Sequence, residues 1–511
     1  MLCPSHEPVI AAPLARSRLP KNRRGSVPVR ILWNLGWPQP FYHRVDDLPS
    51  TSLQRHNNRK PGTLSKRSKN KPKTGRQKSS EKIFVVGCDA SSAALIAELP
   101  GAQGKEIVWA LAREDVQPPS GHIDFDELYE RARNIIEAHG GEPAAIIGDL
   151  DFPVTSLLSL LNRDYDLPGA SPEAVARCEH KYWLRMEQKK AFPEQAPEVC
   201  AINPFNVDEA RKQAPANPFW LKPVKCHSSV LGFMIYDEQG LDKALHACRN
   251  KIHYFGEPFN RFLRHVDTSV INGIDGNYAV AEEIISEPVQ FTVEGYAHNG
   301  EFVVYGVVLS RRTGRQGTSL ASYQYPAELP TEIVERATEI TKKVLVQVAY
   351  DAHPFNAEFF WNPDSGALNL LEINPRISKS HAPLFRMVDG LSHHQVALDL
   401  SMGNVPRMPH REGKNRVAAK YMIRSCEADG IIKRVPSVAE IDDLKRILPD
   451  MDVHIKVEKE QWLSDMFYED SYSFVLAELF LGGHSKEMLD DAYLRCLDSL
   501  PLLIKPMPAR R

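Results

Sequence analysis

The chain has 511 residues, 42% apolar and 25% charged. These are ordinary proportions for a globular protein, and the length is too great for one core, so three or more domains are expected. No run of 18 apolar residues occurs, which excludes a bilayer-spanning helix. The first residues hold no compact apolar stretch, so a secretory leader is not expected. Eight cysteines are scattered without a CxxC pair, which argues against a zinc site or disulfide scaffold and places the chain in a reducing, cytoplasmic compartment.

The formal net charge of −2 conceals a divided chain. From Met1 to Lys82, eighteen Lys and Arg face four Asp and Glu, and the rest is correspondingly acidic. Arg55 to Lys82 contains a single aliphatic residue, Leu64, and cannot build a core. Residues 1–82 are therefore expected to be a basic disordered extension. Four readings stay open: an arm that contacts a polyanion, a transit peptide, a true start further downstream, and a tail without a function of its own, which is favoured over the polyanion arm.

Organised chain begins near Ile83. IFVVGCD (83–89), KEIVWALA (105–112) and AAIIGDLD (144–151) read as buried strands. SSAALIAEL and residues 124–141, which open on a capping Asp and close on Gly-Gly, read as helices. Strand alternating with helix predicts a parallel sheet with crossover helices. Residues 166–192 read as one helix with Pro172 near its start and Lys181 within it. NPFWLKPVKCHSSVLGFMIYD (217–237) gives a strand to Lys222, a polar loop and a second strand. Residues 241–250 read as a helix, and 278–312 as strands around the turn HNG. A helix over 331–350 places Ile333, Val334, Ala337, Ile340, Val344, Leu345 and Val348 on one stripe.

HPFNAEFFWNPDSGALNLLEINPR (353–376) is the most informative stretch. NPDSG has turn chemistry, so two strands form a hairpin. Asn356, Glu358 and Phe360 share one face; Leu368, Leu370, Glu372 and Asn374 share a face of the partner strand. A five-residue loop pairs Trp361 with Ala367 and Glu358 with Leu370, which sets Glu358 diagonal to Glu372, ~7 Å apart or less. Two carboxylates that close repel, and a divalent cation would convert repulsion into binding. Glu, Glu and an Asn amide suit Mg²⁺ or Mn²⁺. A half-solvated hairpin with two surface glutamates is the competing reading.

From Lys181 to Pro406 the chain resembles the ATP-grasp superfamily, the carboxylate–amine ligases and biotin carboxylase-like enzymes. The resemblance rests on EHK (179–181), FWLKP (219–223), HSS followed by Gly232, AEEII (281–285), VEG (293–295), AEFFW (357–361) and LEINPR (371–376), in that order. It implies an α/β and α+β multidomain protein: a Rossmann-like domain over 83–170, an ATP-grasp fold with a small lobe over 171–252 and a large lobe over 253–410, and a small C-terminal α+β domain over 411–511.

The same resemblance implies roles. Lys181 and Lys222 would touch ATP phosphates. Ser228 and Ser229 belong to a loop over those phosphates that is poorer in glycine than is usual in the family. Backbone groups of Glu283 and Ile285 would meet the adenine edge, with Glu282 accepting from its amino group. Gln290 or Glu294 would reach the ribose or a metal. Glu358, Glu372 and Asn374 would ligate Mg²⁺, and Arg376 would face the acyl-phosphate. Ser378, Ser380 and His381 replace the usual glycine-rich continuation and would shape the acceptor pocket, although a histidine there is more commonly a packed one.

The implied reaction couples a small-molecule carboxylate to an amine at the expense of ATP, as in amino-acid and dipeptide ligases. A biotin carboxylase-like carboxylating enzyme and a non-catalytic nucleotide-binding regulator are the alternatives, and a homodimer is expected. Arg311, Arg312 and Arg315 read equally as an anionic-substrate loop or a solvated one.

Overall fold

The computed structural model describes residues 81–508 except 194, 195, 228, 286, 314–318 and 428. Residues 1–80 of the basic extension, with the polyanion contact expected of it, Ser228 and Arg315 thus lie outside the described residues, while Lys82 already belongs to the first strand. No helix among the described residues is long and apolar enough to cross a membrane.

Strands β1 (Lys82–Cys88), β2 (Glu106–Ala112) and β3 (Pro143–Ile147) form a parallel sheet in the order β2-β1-β3. β1 is apolar on both faces because both are covered: Phe84 and Val86 join one core cluster, Ile83 and Val85 another. Asp89 ends this strand and caps the helix Ala90–Ala97, accepting from the Ser92 N–H at 3.0 Å. β3 stops at Ile147, earlier than its apolar run suggested, so Asp149 and Asp151 lie in the loop beyond it.

The expected helix over 166–192 is two helices, Pro172–Glu179 and Lys181–Ala191. His180 breaks it. Its backbone is extended (φ −86°, ψ 97°), and its Nδ1 accepts the N–H of Trp183, capping the second helix. The break places Lys181 at a helix start. A small antiparallel sheet follows, built from β4 (Val199–Ile202), β5 (Phe219–Pro223), β6 (Phe233–Ile235) and β7 (Ala279–Glu282) in the order β4-β7-β5-β6.

The remaining strands are β8 (Val289–His298), β9 (Glu301–Thr313), β10 (Ser319–Tyr325), β11 (His353–Trp361), β12 (Leu368–Asn374), β13 (Val417–Ser425), β14 (Gly430–Arg434), β15 (Met451–Ile455), β16 (Phe474–Gly483) and β17 (Leu503–Pro506). Eight of them make one sheet, β12-β11-β8-β9-β10-β13-β16-β15, while β14 and β17 pair separately. The expected boundary at 411 does not interrupt this sheet: β13 pairs with β10 from Ser322↔Tyr421 to Tyr325↔Ala418. The C-terminal residues nonetheless have their own core around Leu444, Leu476 and Leu489. One face of the sheet is sealed by the helix Thr331–Gln347, whose apolar stripe is buried apart from the half-covered Val334. Gly295 is needed on β8 because a Cβ there would lie 2.3 Å from the Phe355 ring. The opposite face, along β11, β8, β9, β10 and β13, is polar and looks toward the first two sheets.

Candidate functional site

A cavity of about 930 Å³ lies between the three sheets. Its floor is the β11–β12 hairpin, and here the register differs from expectation. Trp361 pairs with Leu368 and Phe359 with Leu370, but Glu358 pairs with Glu372. Leu371 is an extra residue on β12, a β-bulge. The bulge exchanges the two faces of the strand. Leu368 and Leu370 are buried in the core with Ile373, and Glu372 and Asn374 turn to the cavity opposite Glu358 and Asn356. The two carboxylates are therefore directly opposed instead of diagonal. Only an extra residue could put both leucines in the core and both Glu372 and Asn374 in the cavity.

Electrostatics follow from that pairing. Burial and the facing charge of Glu372 push Glu358 up to about 7. Burial also raises Glu372, but Lys181 and Lys222 outweigh it and hold that carboxyl below its ordinary value. Asn374 Nδ2 donates to Asn356 Oδ1 at 3.1 Å and to Glu358 Oε1 at 3.4 Å, and Gln290 Nε2 donates to Glu358 Oε2 at 3.1 Å. Two carboxylates and an amide oxygen, one carboxylate destabilised as an anion, form a hard-oxygen set that suits Mg²⁺ or Mn²⁺. Among the described residues there is no cluster of three or more His, Cys, Asp or Glu that could hold a metal ion.

Lys181 lies across from this pair. Its ammonium is 3.8 Å from Glu372 Oε2 and donates to the Cys226 carbonyl at 2.8 Å. Lys222 is almost fully buried and ion-paired with Glu282, whose second oxygen accepts from Arg185 Nε at 3.0 Å. Arg185 also donates to the Leu370 carbonyl at 3.2 Å and so ties β7 to the β11–β12 hairpin. The Glu282 carboxylate, expected to accept from the adenine amino group, is here held by two cations. β7 ends at Glu282, so Glu283 and Ile285 follow it in a loop lining the cavity, and the Glu283 N–H donates to the Glu198 carbonyl at 3.0 Å.

The loop 226–232 needs left-handed backbone without glycine: Ser229 has φ 57° and Leu231 φ 56°. That costs ~1–2 kcal/mol per residue, strain of a kind that collects at binding loops. Ser229 lines the cavity. The two residues expected to reach the ribose or a metal are both engaged with other side chains. Gln290 lies in the cavity wall but bridges Glu358 and Arg312 Nε (2.6 Å). Glu294 is wholly buried, its Oε1 2.7 Å from Asn356 Nδ2 and from His381 Nδ1.

Arg376 lines the cavity beyond the hairpin. Its Nε donates to Asp151 Oδ1 at 2.8 Å. Burial raises the Asp151 carboxyl, but Arg376 outweighs it and leaves the group well below the carboxylate range. Ser378 and Ser380 line the same wall, and Ser380 Oγ accepts from Lys420 at 2.9 Å.

Several cavity residues carry no local signal in the sequence. Lys379 Nζ donates to Asp89 Oδ2 at 2.7 Å and to Ser92 Oγ at 2.9 Å. Asp149 receives Ser92 Oγ at 2.5 Å and lies 2.9 Å from His394 Nε2. From β13, Lys420 pairs with Glu478 at 2.7 Å and Arg424 with Asp470 at 2.9 Å. The one available hint was GDLD at the C-terminal end of a parallel strand, where open α/β sheets place ligand-facing residues.

Residues 216–382 match the sequence model described as the ATP-grasp domain. A comparison with curated protein sequences finds no match. Among solved structures the fold is similar to L-amino acid ligase from Bacillus licheniformis (TM-score 0.60, 14% identity, covering 85% of this chain and 100% of that one). It is also similar to carboxyaminoimidazole ribonucleotide synthase from Aspergillus clavatus, solved with ATP (0.56, 14%, 82% and 98%). A third is the 2-oxoglutarate carboxylase biotin carboxylase domain dimer from Hydrogenobacter thermophilus, solved with magnesium ADP and bicarbonate (0.55, 14%, 84% and 92%). At these identities the likeness is one of fold.

Proposed function

We propose that this chain, which carries an ATP-grasp domain over residues 216–382, is an ATP-dependent ligase that activates a small-molecule carboxylate as an acyl-phosphate and joins it to an amine. The observation that carries this reading is the opposed Glu358–Glu372 pair, with Asn374 beside it and Lys181 facing it. Glu358, Glu372 and Asn374 would hold magnesium or manganese. A metal held there would supply charge neutralisation and polarise a phosphoryl oxygen.

The chain's own residues divide the rest of the work. Lys181 and Lys222 offset charge on the phosphates as flexible point cations, for which Lys222 exchanges its contact with Glu282. The loop carrying Ser229 covers the phosphates with backbone N–H groups. The carbonyl of Glu283, whose N–H is engaged, and the backbone of Ile285 meet the adenine. The substrate carboxylate attacks the terminal phosphorus in line, ADP leaves, and the amine then displaces phosphate from the acyl-phosphate. Arg376 stabilises the developing oxyanion, and Asp151 fixes the direction of its guanidinium. No nucleophilic side chain takes part. We further propose a Rossmann-like role for the 83–170 sheet and a homodimer, the latter supported by the dimeric biotin carboxylase domain with a similar fold.

The test is ADP release with MgATP across amino acids, amino-acid pairs and dipeptides, and separately with bicarbonate. Amino-acid-dependent ADP release is expected. Release that needs bicarbonate alone would replace the reading with a carboxylating one, and no acid-dependent release would overturn it.

A further inference from the structure

His381 is packed, as a histidine in this segment was expected to be, but it is packed as one half of a dyad. It occupies the position before the helix Ala382–Asp389 and is 2% exposed. Its Nδ1 lies 2.7 Å from Glu294 Oε1. Burial raises Glu294, but the His381 hydrogen bond and the neighbouring imidazoles bring its carboxyl below the ordinary value, so it accepts as an anion. A neutral imidazole that donates Nδ1–H to a carboxylate presents a lone pair at Nε2. That Nε2 is buried and has no hydrogen-bond partner.

An orphan acceptor is costly unless something else satisfies it. The residue lines the cavity together with Arg376, Tyr323 and Lys420. The Tyr323 ring stands edge-on to it with centroids 4.7 Å apart. Groups facing the imidazole are Glu294 from β8, Arg376 after β12, Lys420 from β13 and His393 ahead of the helix His394–Ser401. Most carboxylates in the same cavity are already held by cations: Asp89 by Lys379, Asp151 by Arg376, Glu478 by Lys420 and Asp470 by Arg424. Glu469, pushed up to about 7 by burial, has Arg424, Asp470 and Lys456 as its charged neighbours, not Arg376.

We infer that His381 is the general base of the amine-coupling step and that Glu294 is its positioning residue. The inference rests on the ligase reading. As the amine nitrogen bonds to the acyl carbon, one N–H proton passes to His381 Nε2. The C–O bond to phosphate breaks, and its electron pair leaves with the phosphate, which then takes the proton from the imidazolium. The enzyme returns to its starting state with an amide and hydrogen phosphate as products. Glu294 compensates the transient imidazolium charge and fixes the tautomer.

The experiment offers each of the twenty L-amino acids as the acid with MgATP, first with hydroxylamine and then with amino acids as the amine. Hydroxylamine is neutral near pH 7 and its adduct loses a proton readily to water, so it reports acyl-phosphate formation without needing the base. In His381→Asn, hydroxamate formation should stay within about threefold of wild type while amide formation falls ~100-fold or more. Glu294→Gln should keep hydroxamate formation and move the pH profile of amide formation. Equal loss of hydroxamate and amide in His381→Asn, or amide formation within about threefold of wild type, overturns the assignment. If wild type yields neither hydroxamate nor ADP with any amino acid, the ligase reading itself falls and takes the inference with it.

Discussion

Asp151→Asn separates an orienting role from mere proximity. The substitution keeps volume and an acceptor oxygen but removes the charge that faces Arg376 at 2.8 Å. At an effective dielectric constant of ~20 the gross attraction at this distance is about 6 kcal/mol. Desolvation of two largely buried groups takes back most of it. Stranding one partner of a fully buried pair costs about 3–5 kcal/mol; here side chains 12% and 23% exposed put the loss nearer 2 kcal/mol. If that energy holds the guanidinium in its working direction, the rate of ADP release falls ~30-fold. The pH sign is also fixed. The folded-state carboxyl lies below its unfolded value, so its contribution is full at neutral pH and fades only as pH drops below the ordinary carboxylate value of ~3.9. Wild type and variant should therefore differ in stability at pH 7 and converge in acid. Initial rates and urea unfolding at pH 7 and pH 3 read both effects. A rate within about twofold of wild type at pH 7, with the fold intact, would refute the reasoning.

Glu372→Gln should lower ADP release ~100-fold or more with circular dichroism unchanged, and should bring the Glu358 carboxyl down from about 7, because its facing charge is gone. In wild type, metal must displace the Glu358 proton, so apparent Mg²⁺ affinity should fall as pH drops below about 7 and be level above it; calorimetry in two buffers of different ionisation enthalpy would show the released proton. Arg185→Met leaves the buried Glu282 with Lys222 alone and removes the tie to the Leu370 carbonyl, a loss of about 3 kcal/mol seen in urea unfolding. Unchanged stability would show that Lys222 suffices.

Part of the cavity lining was legible because those residues are local in sequence. Glu358, Glu372 and Asn374 fall within one hairpin that a period of two exposes to simple inspection, and Arg376 at its exit came from the family resemblance. The bulge at Leu371 was not legible, since turn length alone fixes register only when every residue has an opposite number. Nor was the break at His180, where an imidazole capping Trp183 overrides a continuous helical pattern. The family resemblance linked Glu282 to adenine, and nothing local reveals its ion pair with Arg185, 97 positions away in the chain. Lys379 and Lys420 became cavity residues only through packing of distant segments, of which a single sequence carries no trace, and Asp151 had only the GDLD hint. The eight-stranded sheet likewise joins β10 to β13 across a stretch that reads as a boundary.

The central claim is that the opposed carboxylates hold a metal on a nucleotide's terminal phosphates. Calorimetric titration of a non-hydrolysable ATP analogue, with and without Mg²⁺, into wild type and into Glu358→Gln/Glu372→Gln addresses it without needing the acid or the amine. Wild type should bind at least ~10-fold more tightly with Mg²⁺ than without, and the double variant should lose that difference. Equal magnesium enhancement in both proteins would contradict it.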